Sequence, residues 1–161
     1  MEFVDINTSN FDQVSKIYWE GIQTGIATFE TSVPTWETWN NSHFKFGRIA
    51  LIENNLLLGW ASLTPVTNRC VYAGVAEVSV YVAENSRGKG IGKKLLKKLI
   101  KISEENNIWT LQSGIMRKNE ASIQMHLNCG FRLIGYREKI GKLNGEWLDN
   151  VILERRSKLI N

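Results

Sequence analysis

The chain has 161 residues, 43% of them hydrophobic and 22% charged. That is enough apolar material for one compact core, which excludes an intrinsically disordered chain and leads us to expect a single domain over residues 1–161. Lys and Arg total 20 against 16 Asp and Glu, a net charge of +4 that suggests an anionic partner without naming one.

Cys70 and Cys129 are the only cysteines and stand far apart. Their spacing argues against a disulfide framework and against a zinc site, so no metal is expected and a reducing, cytoplasmic compartment is. Met1-Glu2-Phe3-Val4-Asp5 has neither the basic nor the apolar stretch of a signal peptide. No apolar run approaches the roughly 18 residues that a membrane span needs.

Phe3 to Ile6 reads as a short strand. Phe11, Val14, Ile17, Tyr18 and Ile22 then recur at helical spacing, with Gly21 and Gly25 near the end of that helix. Ala27 to Thr31 reads as a loop. Pro34-Thr35 opens a second short helix through Trp36, Trp39 and Phe44. Two apolar runs follow, Arg48 to Ile52 and Leu56 to Leu63, joined by a hairpin turn at Asn54-Asn55.

Gly74 to Val82 is the next strand, in which Val78, Val80 and Val82 alternate with Glu77, Ser79 and Tyr81. Lys93 to Ile102 is strongly helical. Ile108 to Ile115 is a strand. Asn119 to Asn128 is a helix, with Ile123 and Leu127 inward and Cys129-Gly130 as its stop. Phe131 to Tyr136 and Trp147 to Leu153 are late strands. The order β-α-α-β-β-β-α-β-α-β-β describes a mixed α/β domain.

Between the central strand and its helix lies Arg87-Gly88-Lys89-Gly90-Ile91-Gly92. Glycines let backbone N–H groups converge on an anion with no Cβ in the way. The helix N-terminus adds orphan donors and partial positive charge, a suitable seat for pyrophosphate. Arg87, Lys89, Lys93 and Lys94 add full charges. A Walker loop is absent, and the Rossmann pattern fails because Lys93 stands where its last glycine belongs. On spacing alone, a glycine-rich turn before a basic surface helix remains open.

The loop resembles the [QR]-x-x-G-x-[GA] signature of the GNAT acyltransferase superfamily. Val78-Ser79-Val80-Tyr81-Val82 resembles the splayed strand that precedes that loop in the family. Asn119-Glu120-Ala121-Ser122 and Cys129-Gly130-Phe131 resemble its downstream elements, in the right order along nearly the whole chain. Thr28-Phe29-Glu30-Thr31, Glu77 to Val82, His126 and Asn144 to Asp149 further resemble the phosphinothricin and methionine sulfoximine N-acetyltransferase branch.

The resemblance implies a central mixed, twisted sheet with helices on both faces and a splayed central strand. It implies acetyl-CoA as co-substrate, a homodimer, and acetylation of the α-amine of a small amino acid or analogue by direct attack in a ternary complex. Such a reaction needs a base for the ammonium, donors for the oxyanion and stabilisation of the leaving thiolate. Glu77 matches the branch's catalytic base; a strand glutamate in a salt bridge is the plainer alternative. His126 stands where many family members carry Tyr, as a general acid or a cofactor contact, or else as a helix histidine with its bonds satisfied.

The resemblance places Val80, Tyr81 and Val82 at a bulge whose unpaired backbone meets the pantetheine arm. Arg87, Gly88, Lys89, Gly90, Ile91, Gly92 and Lys93 would take the pyrophosphate, with Asn119 and Ser122 as further cofactor contacts. Phe29, Glu30 and Tyr72 fall in segments that line the branch's acceptor pocket; packing is the alternative for Phe29 and Tyr72. Glu30 replaces the Arg of phosphinothricin-acting relatives, which disfavours an acidic substrate side chain. The six tryptophans are assigned to core or dimer interface, and His43 receives no role. Alternative readings are a family member acting on peptide N-termini, polyamines or antibiotics, or a non-catalytic CoA or nucleic-acid binder using the Lys93, Lys94, Lys97, Lys98 and Lys101 stripe.

Overall fold

The computed structural model describes all 161 residues. Its strands are β1 (Glu2–Asp5), β2 (Arg48–Glu53), β3 (Leu56–Pro65), β4 (Val75–Val82), β5 (Thr110–Met116), β6 (Arg132–Leu143) and β7 (Glu146–Arg156). The helices are α1 (Phe11–Gln23), α2 (Trp36–Ser42), α3 (Ile91–Glu105) and α4 (Glu120–Asn128). The element order matches the sequence reading.

The strands form one seven-stranded sheet, ordered β1-β2-β3-β4-β5-β7-β6. All pairs are antiparallel except β4 with β5. Asn54 and Asn55, with φ of 51° and 62°, close the β2–β3 hairpin in the left-handed conformation that suits its twist.

Alternation along the strands sends side chains to opposite faces. Ile49, Leu51, Ala61 and Leu63 meet Leu95, Leu96 and Leu99 of α3 on one face. Ala50 and Trp60 meet Phe11, Val14 and Ile17 of α1 and Trp39 of α2 on the other. Each fully buried leucine contributes about 1.5–3 kcal/mol to this arrangement. Helices therefore cover both faces, as expected.

Three local readings need correction. Leu127 does not face inward: it is exposed, and His126 is the buried residue of α4. The α2 helix stops at Ser42, before Phe44. β6 runs well past Tyr136 to Leu143, because an irregularity between Arg137 and Gly141, with Lys139 at φ 46°, interrupts the alternation without ending the pairing.

Candidate active site

β4 and β5 pair only from Val75 with Thr110 to Glu77 with Gln112. Both strands continue, to Val82 and Met116, without further partners between them. A wedge thus opens in the middle of the sheet. The expected bulge is absent: β4 keeps a continuous register on β3 from Pro65–Ala76 to Gly59–Val82. The splay arises from divergence from β5, so the β5-facing backbone of Val78 to Val82 has no strand partner.

A cavity of about 410 Å³ occupies the wedge. It draws on both faces of the sheet. Glu77, Ser79, Tyr81, Gln112, Gly114 and Met116 come from the α1 side, and Val80, Ser113 and Ile115 from the α3 side. Thr28, Phe29 and Glu30 roof it on the first side; Asn119, Ser122 and His126 of α4 bound it on the second.

Glu77 is half-buried, and its Oε2 accepts a hydrogen bond from Gln112 Nε2 at 3.2 Å. It forms no ion pair. Asn119 caps α4, its Oδ1 accepting from the Ser122 N–H at 3.2 Å.

His126 is 3% exposed. Its Nδ1 lies 2.7 Å from the Ser122 carbonyl, which can only accept, so Nδ1 carries the proton. Nε2 is then a lone-pair acceptor, buried and without a partner. Burial pushes the imidazole pKa below 6.5, outweighing that carbonyl bond, so the ring is neutral at pH 7.

Tyr81 stacks on Trp60 at 4.8 Å and meets Tyr18 edge-on. Burial raises the pKa of both phenols, so both stay protonated. Phe29 packs against Met116, Leu143 and Leu148 and also lines the cavity. Gly141 allows this approach: a Cβ there would lie 2.6 Å from the Phe29 ring.

At the far end of β4, Gly88 and Gly90 adopt φ of 75° and 76°, and a Cβ on either would enter open space. Lys94 N–H donates to Gly90 O, which leaves the N–H groups of Ile91, Gly92 and Lys93 without intrahelical acceptors. Arg87, Lys89 and Lys93 are exposed around them. This open, donor-rich turn fits a pyrophosphate, and the unpaired strand leads from it to the cavity.

Tyr72 does not join this cavity. It is 47% exposed and lines a separate groove with Trp109 and Arg156, which shares only Gln112 with the cavity. His43 stacks on Trp39 at 3.9 Å, and desolvation lowers its pKa to about 4. Gln112, Arg137 and Asn150 line the cavity without having been picked out from sequence. They lie on strands brought together out of chain order, and no local motif marks them.

Residues 10–152 match the family described as Acetyltransferase (GNAT) domain. The chain belongs to the GNAT acetyltransferases. It is an acetyl-CoA-dependent N-acetyltransferase. A phosphinothricin N-acetyltransferase of Streptomyces coelicolor is 33% identical over 136 residues, covering 80% of each chain. An L-methionine sulfoximine/L-methionine sulfone acetyltransferase of Pseudomonas paraeruginosa is 30% identical over 121 residues, 73% of this chain and 70% of its own. The crystal structure of a phosphinothricin acetyltransferase from Sinorhizobium meliloti in complex with AcCoA superimposes with a TM-score of 0.86 at 27% identity, covering 96% of this GNAT enzyme and 87% of that chain.

Proposed function

We propose that this enzyme acetylates the α-amine of a small amino acid or analogue, of the methionine sulfoximine or phosphinothricin kind, by direct attack in a ternary complex. The observation that carries the reading is the cavity through the sheet. It sets Glu77 on one side of the wedge and Asn119, Ser122 and His126 on the other. Neither cysteine lines it, which supports transfer without a covalent enzyme intermediate.

Acetyl-CoA supplies an activated acyl group and a thiolate leaving group. The turn from Arg87 to Lys93 holds its pyrophosphate, and the free backbone of Val80, Tyr81 and Val82 holds its amide-rich arm. Glu77 takes one proton of the substrate ammonium, directly or through a water; the freed amine attacks the thioester carbonyl, the C–S bond breaks, and the departing thiolate takes the second nitrogen proton. Asn119 and Ser122 contact the arm. His126, with its bare Nε2, accepts a hydrogen bond from the acetyl-CoA side rather than supplying a proton. Phe29 supplies an apolar wall and Glu30 a carboxylate at the acceptor end.

We further propose a homodimer. The edge strand β6 exposes Leu133, Ile134, Tyr136 and Ile140, apolar side chains that a second copy would cover. The two free cysteines support a reducing, cytoplasmic setting.

A thiol-release screen of free amino acids, methionine sulfoximine, phosphinothricin, peptides and polyamines tests the reaction. Turnover of free amino acids is expected. Turnover confined to peptides or polyamines overturns the reading. Sedimentation analysis tests the dimer.

A further inference from the structure

We propose that Arg137 receives the α-carboxylate of the acceptor and so makes the enzyme selective for amino acids whose carboxylate is free. The proposal rests on the amino-acid reading above and adds the residue that reads the acceptor's acid group.

Arg137 of β6 pairs with Asn150 of β7, which pairs in turn with Met116 of β5. Residues in register across neighbouring strands project to the same face. All three line the cavity, on the side that carries Glu77. The local backbone is fixed by Asp149, whose Oδ1 accepts the Lys139 N–H at 2.7 Å and whose Oδ2 accepts from the Tyr136 hydroxyl. That carboxylate is thereby occupied. Arg132 and Arg155 have carboxylate partners, at 2.7 and 3.0 Å, whereas Arg137 forms no ion pair. Arg137 is exposed and lines the cavity, and its guanidinium carries five N–H donors.

The other charged side chains lining the cavity are Glu30 and Glu77. A ligand complementary to this set carries cationic N–H near the carboxylates and an anion near the guanidinium. A planar guanidinium binds a carboxylate in bidentate fashion. The Oδ1 atom of Asn150 is buried and has no donor. A carboxylate cannot satisfy it, but an N–H of the same ligand can. A zwitterionic amino acid meets all these demands. A polyamine brings no anion, and a peptide N-terminus has an amide where the acid should be.

The test compares kcat/KM, at saturating acetyl-CoA, for the amino acid turned over fastest in the screen, its carboxamide and spermidine. The wild-type enzyme is expected to prefer the free acid over the amide at least about tenfold, the factor one charge-assisted contact supplies. Arg137→Met should lose about that factor on the acid, through KM, so that the acid-to-amide ratio falls towards one. Arg137→Lys should keep part of it. An unchanged acetyl-CoA KM and circular dichroism spectrum show that the fold is intact. Equal use of acid and amide by the wild type overturns the proposal and leaves amino-acid acetylation standing, as does a ratio unmoved by Arg137→Met. Turnover of spermidine or peptides alone overturns both.

Discussion

Glu77 and Gln112 are the last residues paired between β4 and β5, and they are joined by a side-chain hydrogen bond of 3.2 Å at the point where the strands part. The bond holds the carboxylate at the mouth of the wedge with its second oxygen free. Glu77→Gln should therefore lower kcat/KM by about 100-fold or more, the range of a lost general base, while leaving acetyl-CoA affinity within a factor of about two. Steady-state kinetics beside calorimetric titration of acetyl-CoA measure both. Unchanged turnover from acid to alkaline pH would remove Glu77 from the role of base.

Gly90→Ala forces a side chain into a left-handed conformation at the N-terminus of α3, at a cost of about 1 kcal/mol. It also shifts the turn that carries the N–H groups left without intrahelical acceptors. Acetyl-CoA Kd should rise about tenfold. Gly145→Ala, at φ 84° in the β6–β7 turn, is the control. It should lower stability by a similar amount and leave acetyl-CoA Kd alone.

His126 should report a fixed tautomer. With Nδ1–H on the Ser122 carbonyl, Nε2 should show the nitrogen shift of an unprotonated, lone-pair nitrogen at neutral pH. Burial lowers the pKa from its ordinary value, so the ring should be less protonated than a free imidazole throughout the neutral range. A ring that protonates more readily than a free imidazole would return it to the role of general acid.

His43 gives stability a pH dependence. Its folded pKa is lowered by desolvation to about 4 from 6.5, so the unfolded chain binds the proton more readily between these values. Stability is therefore fully present above pH 6.5 and falls as pH drops to about 4. The ring is partly exposed, which reduces the effect to on the order of 2 kcal/mol. Thermal melts across that range should flatten in His43→Gln relative to the wild type.

Phe29→Ala should raise the acceptor KM about tenfold and leave the acetyl-CoA KM unchanged if the proposed acceptor site is right, because the ring lines the cavity on the side that carries Glu77. Losing its packing on Gly141, Met116 and Leu148 should also cost about 2 kcal/mol of stability.

What could be read from the sequence follows from range. The order of elements, the Asn54-Asn55 hairpin and the glycine turn are local, and their residues lie within a few positions of one another. Arg137, Asn150 and Gln112 meet only because β7 lies between β5 and β6 in the sheet. Chain order carries no trace of that insertion. Tyr72 stood near Glu77 in sequence, but the short turn at Cys70–Tyr72 turns it towards Trp109 and Arg156. Leu127 and His126 are adjacent, and helical periodicity favoured the leucine. The Nδ1 bond to Ser122 O lets the histidine take the inner position instead.

The parting of β4 from β5 makes the centre of this sheet behave as an edge. Unpaired strand backbone at the rim of a sheet invites any passing chain to add on. Here the same hydrogen-bonding capacity is enclosed between α1 and the Thr28–Glu30 segment on one side and α4 on the other. A whole β-strand with its side chains has no room there. A slender ligand with amide groups of its own has, and by bridging the gap it would lock the two halves of the sheet together. Such a ligand would stand in for the strand partner that β4 lacks beyond Glu77.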